Sequence, residues 1–145
     1  MAAYNKFDQF VEDLAHKVHD LGSDQLKVAL CATASAPVAA NEVLLDLTEI
    51  TYTNLSTTDI TLNSSGQTGG TYTLSLVDLT LSASGGAVEA FQYVVVYNDT
   101  PAATPTDPLI SWFDYGSSLT LNDGEYLTID FASDGGPNGN LLTLQ

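Results

Sequence analysis

Arginine is missing from this chain, and lysine occurs only at Lys6, Lys17 and Lys27. The formal net charge is −15 at neutral pH over 145 residues. From Val28 to Gln145 thirteen acids stand without a Lys or Arg. Such a body repels nucleic-acid phosphate and anionic membrane surfaces, so neither is expected as a partner. Cysteine is nearly absent. Cys31 stands alone, which excludes an intrachain disulfide, and its place in Val28-Ala29-Leu30-Cys31-Ala32 reads as a buried, inert thiol. Long apolar runs are missing too: no stretch approaches the about 18 residues of a membrane span. Asp8, Glu12 and Asp13 interrupt the N-terminal segment, which does not read as a secretory signal.

The residues that carry most catalysis are equally scarce. The stretch from Phe91 to Phe131 has no Lys, Arg, His or Cys. His16 and His19 lie near the N-terminus, far in sequence from any Gly-flanked serine, and no G-x-S-x-G occurs. Carboxylate pairs such as Asp123 with Glu125 follow from the acidic composition, and Glu125 reads as a residue that follows a turn. On a helix, His16 and His19 would share a face, but two ligands without a fixed third read as a solvated helix face. Asp134, Asn138 and Asn140 offer hard oxygens in one loop, and Asp99 and Asp107 flank another. Neither has calcium-loop spacing, and Asx-rich loops ordinarily make turns. No enzymatic activity is expected, and no catalytic residue, metal or cofactor is assigned.

What is present is a short helical pattern followed by many strands. Phe7, Phe10, Val11, Leu14, Val18 and Leu21 recur at helical spacing, which predicts an amphipathic helix from Asn5 to about Asp20. Asn5 is its expected N-cap and Gly22 its stop. About four turns would be marginal alone in water, so the stripe must dock on its own sandwich or on a neighbouring subunit. Lys17 falls where a strict heptad wants an apolar residue, which weakens a coiled-coil reading. Residues 1–24 are therefore expected to form a docking or oligomerisation arm, with Lys6 and Lys17 beside the stripe. Residues 25–145 are expected to form the β-domain.

Residues 25–32 read as a strand, and 43–55 is ambiguous between helical turns and strand. Residues 56–71 read as a Ser/Thr/Gly-rich loop with a short edge strand at Ile60 and Leu62. Residues 72–82 read as a strand whose phase slips between Val77 and Asp78, as a β-bulge would cause. Phe91–Asn98 is apolar on both faces and reads as a central strand. Leu109–Tyr115 follows, with Ile110 and Trp112 on one face and Phe113 and Tyr115 on the other, and a turn at Gly116-Ser117-Ser118. Leu119–Leu121 is expected to pair with Tyr126–Phe131 across Asp123-Gly124, and Leu141–Leu144 is a last strand. The fold class is mainly β: an antiparallel β-sandwich or jelly-roll-like domain with an N-terminal amphipathic α-helix. Trp112, Phe113, Tyr115 and Tyr97 would offer a carbohydrate-stacking platform if exposed; in alternating strands they read as core.

The run Phe91-Gln92-Tyr93-Val94-Val95-Val96-Tyr97-Asn98-Asp99-Thr100 resembles a pattern in small structural proteins of tailed bacteriophages. There an aromatic-rich strand ending in Tyr-Asn-Asp-Thr precedes a variable loop. A strand like Leu109–Ser118 and a hairpin like Leu119–Phe131 follow. Lys6-Phe7, Leu26–Leu30 and Leu45–Ile50 fit the same pattern, so the resemblance spans most of the chain. It implies a virion structural protein without catalytic residues. The expected form is a capsid decoration, or cement, protein on the outer capsid surface, made in the host cytoplasm. It would bind the major capsid protein across subunit joints and assemble as a homotrimer or other homo-oligomer. A tail or baseplate β-domain and a carbohydrate-binding module are the competing expectations.

Overall fold

The computed structural model describes residues 3–131 and 138–145. Its elements in chain order are β1 (Ala3–Lys6), α1 (Gln9–Ala15), β2 (Leu26–Cys31), β3 (Leu62–Thr68), β4 (Thr71–Val77), β5 (Leu79–Ser82), β6 (Phe91–Asn98), β7 (Leu109–Leu119), β8 (Tyr126–Ile129) and β9 (Asn138–Leu144). They form a four-stranded sheet, β1-β7-β6-β2, a three-stranded sheet, β3-β4-β9, and a two-stranded sheet, β5-β8. Every named pairing is antiparallel. Strand β5 resumes the line of β4 after Asp78, where the slip in phase was expected. The chain is thus mainly β and sandwich-like, with one short helix near its N-terminus.

The hydrophobic period of two explains the layering. Along β2, Val28 and Leu30 point to one face and Ala29 and Cys31 to the other. Along β6, Val94 and Val96 point inward while Val95 and Tyr97 point outward. The inward set meets Leu74, Leu76, Leu79, Leu81 and Ile129 of the opposing strands in one buried cluster. The outward set is buried as well, by Phe7 and by Leu44 and Leu47 of the segment between β2 and β3. A strand covered on both faces can be apolar on both, which is why β6 sits between β2 and β7.

Two irregularities in the β6–β7 ladder redirect side chains. Val96 pairs with Ser111 but Tyr97 with Leu109, so Ile110 is an extra residue. Ile110 therefore joins the inner cluster while Trp112 joins the outer one. Strict alternation put them on one face, and the bulge is the reason for the correction. At the other end Phe91 pairs with Leu119 and Tyr93 with Asp114, so residues 115–118 loop out of the ladder. The turn expected at Gly116-Ser117-Ser118 is this excursion within β7, with Gly116 at φ +89°.

Other expectations are corrected in the same way. The Asp123-Gly124 turn forms, but it does not join Leu119–Leu121 to β8. Ala83 N donates to Glu125 O at 2.9 Å, Gly124 N to Ala83 O at 3.0 Å and Gly85 N to Asp123 Oδ1 at 2.8 Å. These bonds hold the turn against residues 83–85, and β8 leaves it to pair with β5 in the opposing layer. Residues 62–68, expected within a loop, form a full edge strand, because Gly69 (φ +60°) and Gly70 (φ +88°) make a hairpin turn into β4.

The N-terminal helix is shorter than its apolar spacing suggested. Asn5 is not its N-cap but lies in β1 opposite Trp112. Asp8 takes the N-cap place, and the helix ends at Ala15. Lys17 adopts the left-handed conformation at φ +63°. Lys17 N then donates to Leu14 O at 3.3 Å and Val18 N to Asp13 O at 2.9 Å. This is a Schellman ending with lysine where glycine is usual. Gly22 lies beyond it and stops nothing.

Candidate functional site

The eight residues expected at a docking face divide sharply. Phe7, Phe10 and Leu21 are buried in the chain's own core, with Phe7 wholly covered. Leu14 packs against the inner cluster, and Val18 is half-buried. Lys6, Val11 and Lys17 remain on the surface, Val11 at 55% exposure. Most of the stripe therefore docks on its own sandwich. Lys6, Val11 and Lys17 are the solvent-facing remainder.

Beside Lys17 a cleft of ≈ 620 Å³ opens between the turn after α1 and the edge of the three-stranded sheet. Leu14, Leu21, Tyr72 and Leu144 give it apolar walls, and Lys17, Asp20 and Ser65 its polar ones. His19 borders it but is otherwise buried, with its ring 5.2 Å from that of Phe10. Asn98 Nδ2 lies 3.1 Å from His19 Nδ1 and donates to Asp24 Oδ2 at 2.6 Å. Asp24 Oδ2 also accepts from Asp20 N at 2.7 Å. Burial pushes the His19 pKa down, against the opposing pull of Asp13 and Asp24. Asp13 is itself buried; Gln9 Nε2 donates to its Oδ1 at 3.2 Å, while Asp13 Oδ2 and His19 Nε2 have no hydrogen-bond partner among the described residues. This network ties the turn between α1 and β2 to the end of β6. Asn98 and Asp24 were not singled out from the sequence, since nothing in a Tyr-Asn-Asp-Thr strand end marks its Asn as buried.

The other titratable groups are structural in their surroundings. His16 is exposed, 3.6 Å from Glu12, and does not share a site with His19. Cys31 is buried, and its thiol pKa is pushed up to about 11 by burial and then by Glu49. Tyr52 donates to Glu49 and accepts from Leu30 N at 3.0 Å; burial and Glu49 raise its pKa. Lys27 Nζ bridges Asp99 at 3.1 Å and Asp59 at 3.5 Å. Asp107 has a raised pKa from burial and from neighbouring Asp99. Among the described residues no cluster of three His, Cys, Asp or Glu is placed to hold a metal ion. Asp134 lies outside the described residues, and Asn138 and Asn140 belong to β9. No helix among the described residues is long and apolar enough to cross a membrane. Of the aromatic group, Trp112 packs on Phe7 with ring centres 4.5 Å apart, whereas Tyr115 is 52% exposed.

The surface feature that sequence reading missed is a sheet without charge. Strands β3, β4 and β9 contain no Asp, Glu, Lys, Arg or His, in a chain with eighteen acids. The signal was present: residues 60–77 run without a charged side chain. The β3–β4 hairpin is open at its tip, while Ser65 and Tyr72 share the cleft with Lys17, Asp20 and Gly22. β3 is exposed along almost its whole length, and a side chain at Gly66, Gly69 or Gly70 would meet nothing within 4 Å. The edges of the four-stranded sheet differ. β1 carries Lys6, and β2 is covered by residues 49–60, with Ile50 N donating to Leu30 O and Ile60 N to Leu26 O at 2.9 Å. No protein-family model, no curated protein and no solved structure matches the chain.

Proposed function

We propose that this chain is a virion structural protein of a tailed phage, a capsid decoration protein that binds the outer shell and reinforces joints between major capsid subunits. The reading starts from the resemblance of its strand run Phe91–Thr100 and Leu109–Phe131. The observation that carries it is the division of the surface. From Val28 on the chain has thirteen acids and no Lys or Arg, so the uncharged strands of the β3-β4-β9 and β5-β8 sheets and the exposed residues Lys6, Val11 and Lys17 are where a partner meets less repulsion. An acidic exterior suits the outside of a shell, away from packaged DNA. The action is associative: burying roughly 800 Å² per partner across a joint adds binding energy that opposes disassembly.

Immunogold microscopy of source particles with antibody against the purified chain tests this. Gold over the head is expected. Gold confined to the tail would replace the reading with a tail or baseplate component, and particles without gold would overturn a virion role. Point variants locate the contact, because removing residues 1–24 would also remove β1 from its sheet. Lys6→Glu with Lys17→Glu should lower shell binding at least tenfold while the fold is kept. The exposure of Tyr115 favours a second reading, a glycan-binding module. Glycan-array binding lost in Tyr115→Ala would support it.

A further inference from the structure

The free edge of β3 carries an inference that does not depend on the capsid reading. Exposed edge strands usually carry lysine, proline or a covering segment, because a bare row of amides and carbonyls recruits other strands. β3 (Leu62-Asn63-Ser64-Ser65-Gly66-Gln67-Thr68) has neither lysine nor proline, and among the described residues it has one neighbour in the sheet order, β4. Its seven residues span roughly 23 Å at about 3.3 Å per residue. The two-residue Gly69-Gly70 turn fixes which backbone groups face outward. In such a hairpin the closing pair, Thr68 and Thr71, exchanges its bonds within the hairpin. Alternation then directs Gly66 and Ser64 toward β4, and the N–H and C=O of Ser65 and Gln67 toward the open side.

We infer that the β3 edge is a self-association surface, on which a second copy of this chain lays its own β3 antiparallel to make a continuous six-stranded sheet. Charge selects this occupant. A chain at −15 repels its own copy across most surfaces. An isologous contact juxtaposes each patch with itself, so an acidic patch meets an acidic patch. The three-stranded sheet escapes this because its strands have no charge to double, and although β5 and β8 lack charge as well, each is only four residues long against the seven of β3. A two-fold axis near Ser65 or Gly66 places Asn63, Ser64, Gly66 and Gln67 opposite one another, and none of these pairings is repulsive. The hairpin tip is open at Gly66, Gly69 and Gly70, so the second copy can approach there, and the charged groups that share a cleft with Ser65, namely Lys17 and Asp20, are of opposite sign.

The test is sedimentation velocity of the full chain across a hundredfold concentration range, with hydrogen exchange read at both ends. The expected result is a dimer in which the Ser65 and Gln67 amides gain protection with concentration. Gln67→Pro deletes one outward donor and also the Gln67 Oε1 that accepts from Gly70 N at 3.1 Å, whereas Gln67→Ala loses only that side-chain bond. The proline variant should weaken dimerisation at least tenfold, and the alanine variant should leave it intact. Gln67→Lys keeps the donor but sets like charges near each other across the edge, and should weaken it similarly. If Gln67→Pro loosens the hairpin itself, seen as lost protection of Gly66 and Thr68, Gln67→Lys decides. A monomer at every concentration overturns the inference. So does a dimer whose Ser65 and Gln67 amides stay open, or one that the proline and lysine variants leave intact.

Discussion

The two main sheets of this protein are built on opposite terms. The four-stranded sheet is covered on both faces, one by the opposing strands and the other by Phe7, Leu44 and Leu47. Its edges end in charge or in covering chain, with Lys6 on β1 and the Lys27–Asp59 and Lys27–Asp99 bridges beside β2. The three-stranded sheet has no charge, a bare edge and a hairpin that meets nothing at its tip. The inner core is shared, since Leu74, Leu76, Leu141 and Leu142 of the three-stranded sheet are buried in it, but that sheet also leaves backbone and hydroxyl groups exposed along β3. Burial sets stability, whereas exposure without charge sets where a neighbour can attach.

The largest effects should fall on the covered sheet. Phe91 and Phe7 are both wholly buried, on opposite sides of it. Each change to alanine should cost about 3–5 kcal/mol, from lost transfer energy and the cavity left behind. Urea unfolding read by tryptophan fluorescence measures this, since Trp112 packs on Phe7. Val11→Ser on the outer face of α1, and Ser64→Ala on β3, should each stay within about 0.5 kcal/mol. If Phe7→Ala were as mild as Val11→Ser, the outer cluster would not be part of the core and the contrast between the sheets would fail.

An acid titration should produce the next effect, at the network joining α1 to the covered sheet. Burial holds the His19 pKa below its ordinary value, so the folded chain binds fewer protons there than the unfolded chain. Stability then rises with pH across the window between the folded and unfolded pKa values. The contribution is complete above the unfolded value of about 6.5 and is lost as pH falls toward the lower folded value. His19→Gln should flatten this dependence, measured as Tm against pH from 7.5 to 5. An unchanged slope would show that other groups carry the acid sensitivity.

Much of the covered sheet was legible in the sequence, because burial leaves a periodic record. Val94, Val95 and Val96 can be apolar together only in a central strand, and β6 is central. The slip after Val77 marked the break before β5 for the same reason. Illegible were the features made by long-range hydrogen bonds. Asp123-Gly124 signals a turn, but nothing local says that Ala83 and Gly85 hold it and send β8 to the other layer. The helix was overextended because Phe7 and Leu21 keep helical spacing while packing from a loop and a turn. The open edge of β3 was hidden by its Ser, Gly and Gln, which resemble a loop until paired with β4.

Salt should separate the two regions more gently. Lys27→Met removes the cation that Asp59 and Asp99 share. The pair is largely solvated, so the expected cost is about 1 kcal/mol or less. That cost should shrink as the screening length falls from about 8 Å toward 3 Å in molar salt. The charge-free sheet has no such term, so dimerisation through β3 should strengthen or stay constant over the same range. Association that weakens steeply with added salt would place charged groups in the contact.

Two residues with nearly the same backbone angle give the smallest and sharpest contrast. Lys17 ends α1 at φ +63°, and Gly69 turns the β3–β4 hairpin at φ +60°. A residue with a Cβ spends roughly 1–2 kcal/mol in this conformation that glycine does not. Lys17→Gly should therefore raise global stability by up to about 1 kcal/mol, because α1 is anchored through Phe10 to the core and its Schellman ending persists. Gly69→Lys imposes the same strain at the hairpin tip, where an added side chain meets nothing. The hairpin can open locally there, so global unfolding should barely move while exchange of the Thr68–Thr71 amides accelerates. Equal and opposite shifts in the urea midpoint would mean instead that the hairpin unfolds together with the covered sheet. The projecting region would then belong to the same cooperative unit as the core.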